Sequence, residues 1–372
     1  MTYRLCCAVS GHGFGHLSQV AALVNRLAET VADLEIHVIS SLSQPLLARI
    51  LQVPFSLECR AQDVGLVQHD PMRVDRPATL EALRRLHDHW PESLEAEKRS
   101  LAAWKPDLLL ADIPYLPIAA AAQLAIPTVA IASLSWDAVV AAYFFPATET
   151  GEQTDPEVVH WVQTMRQAYG RTTLALLPTP AIWENHPFPH AEPIGPLALP
   201  GHRHREGLRR ALGIESGDDR PLILVSLGGI PARHLPVQAL EREDRLHWLL
   251  DVPLTGQAKH LHSLSDLLAQ WSFADLSASV DGVVSKPGYG MAVAATTQQI
   301  PFLYLRRGLF PDERPICAWM AEKGRALELT AEQFYGGDWF EPLCAVLAQP
   351  AKPPCPANGA EQGAERIRRW MA

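Results

Sequence analysis

The sequence predicts an α/β protein with two doubly wound parallel sheets. Three observations carry this: short apolar strands alternate with helices, three glycine turns each follow a strand, and prolines crowd one segment near the middle of the chain. Alternation of this kind packs helices on both faces of a parallel sheet. The length of 372 residues suits about two to three domains.

The elements follow in order. Residues 4–9 (RLCCAV) read as a first strand and residues 10–15 as a glycine-rich turn, after which His16 opens a helix. Leu17, Val20, Val24, Leu27 and Val31 recur at three- and four-residue spacing and make one apolar face. Residues 35–39 (EIHVI) give the next strand, completing a βαβ unit. Strands at 107–111 and 128–132 flank an alanine-rich helix at 118–125, and 174–177 is a further strand. Five of the fifteen residues 186–200 are proline. Proline fixes φ and removes a donor, so this segment reads as an inter-domain linker. The pattern then restarts: helix 205–212, strand 221–226, turn 227–230, helix 261–274, strand 282–284, turn 286–290, helix 291–297 and strand 301–305. Residues 359–370 read as an amphipathic helix.

Composition excludes several function classes. Hydrophobic residues make up 48% and charged residues 20%, which argues against disorder. A net charge of −9 disfavours non-specific nucleic-acid binding, which needs a positive surface. No signal-peptide pattern and no span of about 18 apolar residues is present, so a cytoplasmic chain without a transmembrane segment is expected. The six cysteines form no CxxC pair, and Cys6 and Cys7 read as buried thiols within the first strand. Three HxH pairs, His87/His89, His202/His204 and His260/His262, lack a completing carboxylate or cysteine cluster. They read as solvated faces, and no metal site or cofactor is expected.

Glycine turns between strand and helix let a ligand approach the backbone and aim N–H groups at an anion. The turn SGHGFGH is followed at the right distance by no acidic residue in the strand context of a dinucleotide site, apart from Glu35 at the start of the second strand, and no GxxxxGK[ST] loop exists. His12 and His16 flank this turn. A histidine at a positive helix end resists protonation and can serve as a general base, or it can simply pack the turn. Asp112 and Asp137 each follow a strand and either orient a histidine or stabilise a loop. Lys286, Arg306 and Arg307 near the later turns either meet phosphate or lie on the surface.

Five passages make the chain recognisable: VSGHGFGHLSQV (9–20), VQHDPMRVDRPATLE (67–81), SLSWDAV (133–139), VSKPGYG (284–290) and PFLYLRRGLFPDERP (301–315). They resemble the GT-B glycosyltransferase-like family, in particular the glycosyltransferase-like region of plant L-arabinokinases and free-standing bacterial relatives. None falls in a kinase region, so kinase activity is not implied. The chain is more distantly similar to the lipid-intermediate N-acetylglucosaminyltransferases of peptidoglycan synthesis. The resemblance implies two Rossmann-like domains across a cleft: an acceptor-side domain at 1–192, a donor-side domain at 193–358, and a terminal helix in 359–372 that crosses back.

It further implies residue roles. His16 matches the base for the acceptor hydroxyl, and Asp112 the acid that supports it. Gly11, His12, Gly13, Gly15 and Asp137 are candidate substrate contacts on the first side. Gly228, Gly229, Lys286, Gly288, Tyr289, Gly290 and Arg306 are candidates on the donor side, and Glu313 and Arg314 fall where relatives touch the donor sugar. One departure stands out: Ala294 occupies the place where relatives carry a ribose-binding glutamate. The expected function is metal-independent, inverting transfer from a nucleotide-sugar donor to an unidentified acceptor. The alternatives are a non-catalytic nucleotide-sugar or carbohydrate binding protein and a sugar-nucleotide epimerase. An epimerase would form product from the donor alone.

Overall fold

Strands such as LLLAD (108–112) and LILV (222–225) are buried along their whole length. A strand reaches that state only between two layers of helix. The computed structural model, which describes residues 2–145, 153–229, 234–254, 256 and 258–371, shows this twice. In chain order the strands are β1 (Tyr3–Val9), β2 (Leu34–Ser40), β3 (Ser56–Cys59), β4 (Gln68–Asp70), β5 (Arg73–Val74), β6 (Leu108–Asp112), β7 (Thr128–Ile131), β8 (Leu174–Pro178) and β9 (Ala191–Ile194). The second half contributes β10 (Leu222–Val225), β11 (His247–Leu250), β12 (Leu261–Ser263), β13 (Gly282–Ser285), β14 (Phe302–Tyr304) and β15 (Ala326–Glu328).

The first sheet has the order β3-β2-β1-β6-β7-β8-β9 and the second β12-β11-β10-β13-β14-β15, parallel throughout. In each sheet the direction of winding reverses once, at β1/β6 and at β10/β13. Crevices open at the carboxyl ends of strands where the winding reverses. The antiparallel pair β4-β5 stands apart from both sheets. Among the described residues no helix is long and apolar enough to cross a membrane.

The halves share apolar packing. One core cluster runs from Leu5 and Leu23 in the first half to Leu222, Ala292 and Ile316 in the second. The helix Gly359–Arg368 lies against the first helix, where a Cβ on Gly363 would stand 2.8 Å from Leu23. Arg366 Nε also donates to Glu192 at 2.6 Å.

Several expectations are corrected. The first helix is Phe14–Thr30 and starts before His16, because Gly13 takes the N-cap position. The helix expected at 291–297 is Tyr289–Thr297. The helix expected at 261–274 is instead strand β12, a short turn of helix Leu264–Leu267 and the start of helix Phe273–Ser279. Backbone pairing of 261–263 with β11 outweighs helical periodicity there. The proline segment is not wholly a connector: residues 191–194 form β9, and an edge position tolerates Pro193. Ile230, in the second predicted turn, lies outside the described residues.

The HxH pairs are only partly solvated. The His87 ring stacks among Trp90, Tyr115 and Trp161. His260 donates Nε2–H to the Leu240 carbonyl, and His262 Nε2 lies 3.0 Å from His247 Nδ1. Cys6 and Cys7 are fully buried, as expected.

Candidate active site

The four strands at the two points of reversed winding supply the site. β1 ends in the turn that carries His12 and leads to His16, and β6 ends on Asp112. The register sets Val9 beside Asp112, and Ser10 N–H donates to the Asp112 carbonyl at 2.8 Å. One helical turn later, His16 Nδ1 stands 2.7 Å from Asp112 Oδ1. This contact places a proton on Nδ1 and leaves Nε2 as the basic atom. Among the described residues the ring's only hydrogen bond is this one at Nδ1.

Burial pulls the His16 pKa down, but the charge and hydrogen bond of Asp112, with Asp63 and Asp312 nearby, raise it overall. This corrects the expectation drawn from the helix end alone. His12 behaves differently. Its Nε2–H donates to the Leu66 carbonyl at 2.8 Å, and burial pushes its pKa down to about 3. His12 is therefore a neutral packing residue. Gly65 is required beside it, since a Cβ there would stand 2.6 Å from the imidazole.

Across the crevice, β13 ends in the turn that carries Lys286. The Lys286 stem passes between Gly228 and Gly288: a Cβ on either would lie 3.8 Å from its Cε. Among the described residues its ammonium has no ion pair. Burial, with the nearby charge of Arg307, pushes its pKa down to about 7. A buried cation without an ion pair gains most from an anionic partner.

Two helix N-termini meet at the same point. Neither Phe14–Thr30 nor Tyr289–Thr297 has a side-chain cap. A Cβ on Gly290 would lie 3.3 Å from Ser18 Oγ and 3.9 Å from the Gly15 Cα. Uncapped first-turn N–H groups and aligned peptide dipoles favour negative charge. Gly229 takes φ +62°, and a Cβ there would meet the Phe14 ring at 2.7 Å, so glycine is needed where the halves touch. Gly11 packs its turn against Ser41.

Other expected residues are engaged elsewhere. Arg306 is half-exposed and pairs with Glu328 at 2.6 Å, on the outer side of the loop. The neighbouring Arg307 is the buried one. Glu313 does not face a ligand: its carboxylate accepts from Arg307 N–H, Arg307 Nε and Gly308 N–H. Arg314 is exposed. Tyr289 donates its hydroxyl to the Thr179 carbonyl and accepts from Leu197 N–H, pinning the halves together. Asp137 accepts from Arg166 at 2.6 Å inside the first half.

Three residues were missed. Asp312 is 5% exposed, its Oδ1 has no partner among the described residues, and burial raises its pKa. Trp136 sets its ring 5.1 Å from His12 and 5.7 Å from His16. Asp63 holds Trp136 Nε1–H at 2.8 Å. Trp136 and Asp312 each stand beside a residue that was singled out. Adjacent positions at a helix start point in different directions, which spacing alone does not resolve. Asp63 lies in an irregular stretch with no motif.

A cavity of about 480 Å³ opens elsewhere, beside Asp281, Pro301 and Arg325. Those residues precede β13, β14 and β15, so it lies at the amino ends of the strands, away from the helix termini and from His16.

No protein-family model matches the chain. An L-arabinokinase of Arabidopsis thaliana is 26% identical over 335 residues, which cover 89% of this chain and 31% of that protein. The chain thus spans about a third of the length of that relative. Among solved structures, the spinosyn forosaminyltransferase SpnP superposes with a TM-score of 0.62 at 16% identity, covering 99% of this chain and 95% of that one. A UDP-glucosyltransferase from Polygonum tinctorium gives 0.62 at 12% identity over 100% and 99%. Medicago truncatula UGT71G1, complexed with UDP-glucose, gives 0.57 at 13% over 100% and 95%.

Proposed function

We propose that this chain, which shares the fold of the glycosyltransferases it superposes on, is itself a GT-B glycosyltransferase that moves a sugar from a nucleotide-diphosphate sugar to an acceptor hydroxyl, with inversion and without a metal ion. The observation that carries the reading is the opposition of two unlike groups. A histidine held by a buried carboxylate stands on one half, and an unpaired lysine at a helix N-terminus stands on the other.

In the proposed step, His16 Nε2 accepts the proton of the acceptor hydroxyl while Asp112 holds Nδ1–H and balances the imidazolium. The hydroxyl oxygen attacks the anomeric carbon from the face opposite the diphosphate. The bond from that carbon to the diphosphate oxygen breaks, and its electron pair leaves with the nucleotide. Lys286, Arg307 and the first-turn N–H groups of the Tyr289–Thr297 helix meet the developing charge. The unpartnered oxygen of Asp312, rather than Glu313, accepts a hydrogen bond from a donor-sugar hydroxyl.

Calorimetry with UDP, other nucleoside diphosphates and their sugars tests this. Micromolar binding with sugar transfer or slow donor hydrolysis is expected. His16→Ala should keep donor affinity and lower turnover by about 10²–10⁴-fold, the usual worth of a general base. Unchanged turnover would remove the base assignment. Ala294 supports a second reading, a nucleotide-sugar binding protein without turnover. Binding with no transfer and no hydrolysis would favour it, and no binding by any nucleotide would overturn both.

A further inference from the structure

The loop that carries Arg307 belongs to the second half but is anchored in the first. It follows β14, yet Phe310 is 5% exposed and lies within the apolar core of the first half. Its ring meets Tyr143 edge-on, with centroids 5.4 Å apart. Tyr143 sits on the helix Trp136–Phe144, whose first residue is the indole beside His16. The Arg307 guanidinium carbon lies over the same Phe310 ring, 3.4 Å from its centroid. Glu313 closes the loop through the Arg307 and Gly308 amides and Arg307 Nε.

Two supports therefore fix Arg307. Glu313 lies on its own half, and the Phe310 ring is seated in the other. The opposite half reciprocates: Met72, at the turn between β4 and β5, packs against the core of the second half. Asp70 beside it lies 3.6 Å from His234 of the second half. Phe310 of the second half is thus buried in the core of the first, and Met72 of the first packs against the core of the second.

We propose that Tyr143 is a positioning residue for the donor site: through Phe310 it sets the place of Arg307 on the opposite half, so the first half helps to hold the donor diphosphate. The proposal rests on the reading of Arg307 as a diphosphate ligand. A side chain that merely fills the core would change global stability without singling out this loop.

Hydrogen exchange on the full chain without ligand is the first measurement. Tyr143→Leu keeps apolar volume but removes the ring edge. It should speed exchange of the Arg307 and Gly308 amides about tenfold while the Tyr289–Thr297 helix is unchanged. Tyr143→Phe should match the wild type, because the contact is made by the ring. Unchanged protection in 306–313, or a uniform rise across the chain, overturns the proposal.

UDP affinity gives the second measurement. Tyr143→Leu should weaken UDP about tenfold, within the range of coupled contacts. The double variant with Arg307→Gln should be no weaker than Arg307→Gln alone. Additive losses would show that Tyr143 does not act through Arg307. If the wild type binds no nucleoside diphosphate, the donor reading fails, and the exchange data still decide whether Tyr143 holds the loop.

Discussion

At the residue scale, two groups with opposed titrations define how the site should respond to pH. As the proposed base His16 must be neutral to accept a proton, and Asp112 holds its pKa above the usual histidine value. The rate should therefore fall as pH drops through that raised value. In the proposed donor site Lys286 must be charged to hold a diphosphate, and burial pushes its pKa down to about 7. Binding then takes up a proton above pH 7, and UDP affinity should fall by up to about tenfold per pH unit there. The two limbs together give a bell-shaped profile of kcat/KM. Asp112→Asn should shift the acidic limb to lower pH and reduce kcat. Lys286→Met should weaken UDP and flatten its dependence above pH 7. A UDP affinity that stays level from pH 7 to 9 in the wild type would contradict the role given to Lys286.

At the element scale, the site depends on how closely two helix N-termini approach. Gly229 and Gly290 let Phe14–Thr30 and Tyr289–Thr297 meet with almost no space between them. Gly229→Ala would force a Cβ against the Phe14 ring at φ +62°. A left-handed residue with a side chain costs about 1–2 kcal/mol, and the displaced ring adds to this. Chemical denaturation should show a loss of at least that size. UDP affinity should fall as well, because the Gly228–Gly229 turn lies against the lysine stem. Normal stability and affinity would mean that the turn can relax away from Phe14.

At the scale of the whole molecule, the halves are bound together more tightly than separate domains on a linker would be. A core cluster crosses between them, the helix Gly359–Arg368 packs back on Phe14–Thr30, and Tyr289 bonds the backbone on both sides. Calorimetry should therefore show one unfolding transition, with an enthalpy near 260 kcal/mol from the usual value per residue and equal to the van't Hoff value. Two resolved transitions would mean that the shared core does not couple the halves.

The sequence by itself determined the alternation of strands and helices, the glycine turns and the first histidine. Those features rest on local physics: burial on both faces of a strand, 3.6-residue periodicity, and the small size of glycine where backbones meet. It also placed Asp112 at the carboxyl end of a strand, whereas the pairing of that strand with β1, which brings Asp112 to His16, came from the tertiary structure. The tertiary structure alone decided the burial and partners that separate adjacent residues: Arg307 is buried and Arg306 exposed, Asp312 Oδ1 is left unpartnered while Glu313 binds Arg307, and Trp136 lies beside His16 while Asp137 pairs with Arg166. It also turned 261–263 into an edge strand and gave Tyr289 a pinning role in place of a ligand contact. In each case the deciding quantity is the direction of a side chain or the partner it finds across the chain. Those are set by packing between elements far apart in sequence, which no local pattern encodes.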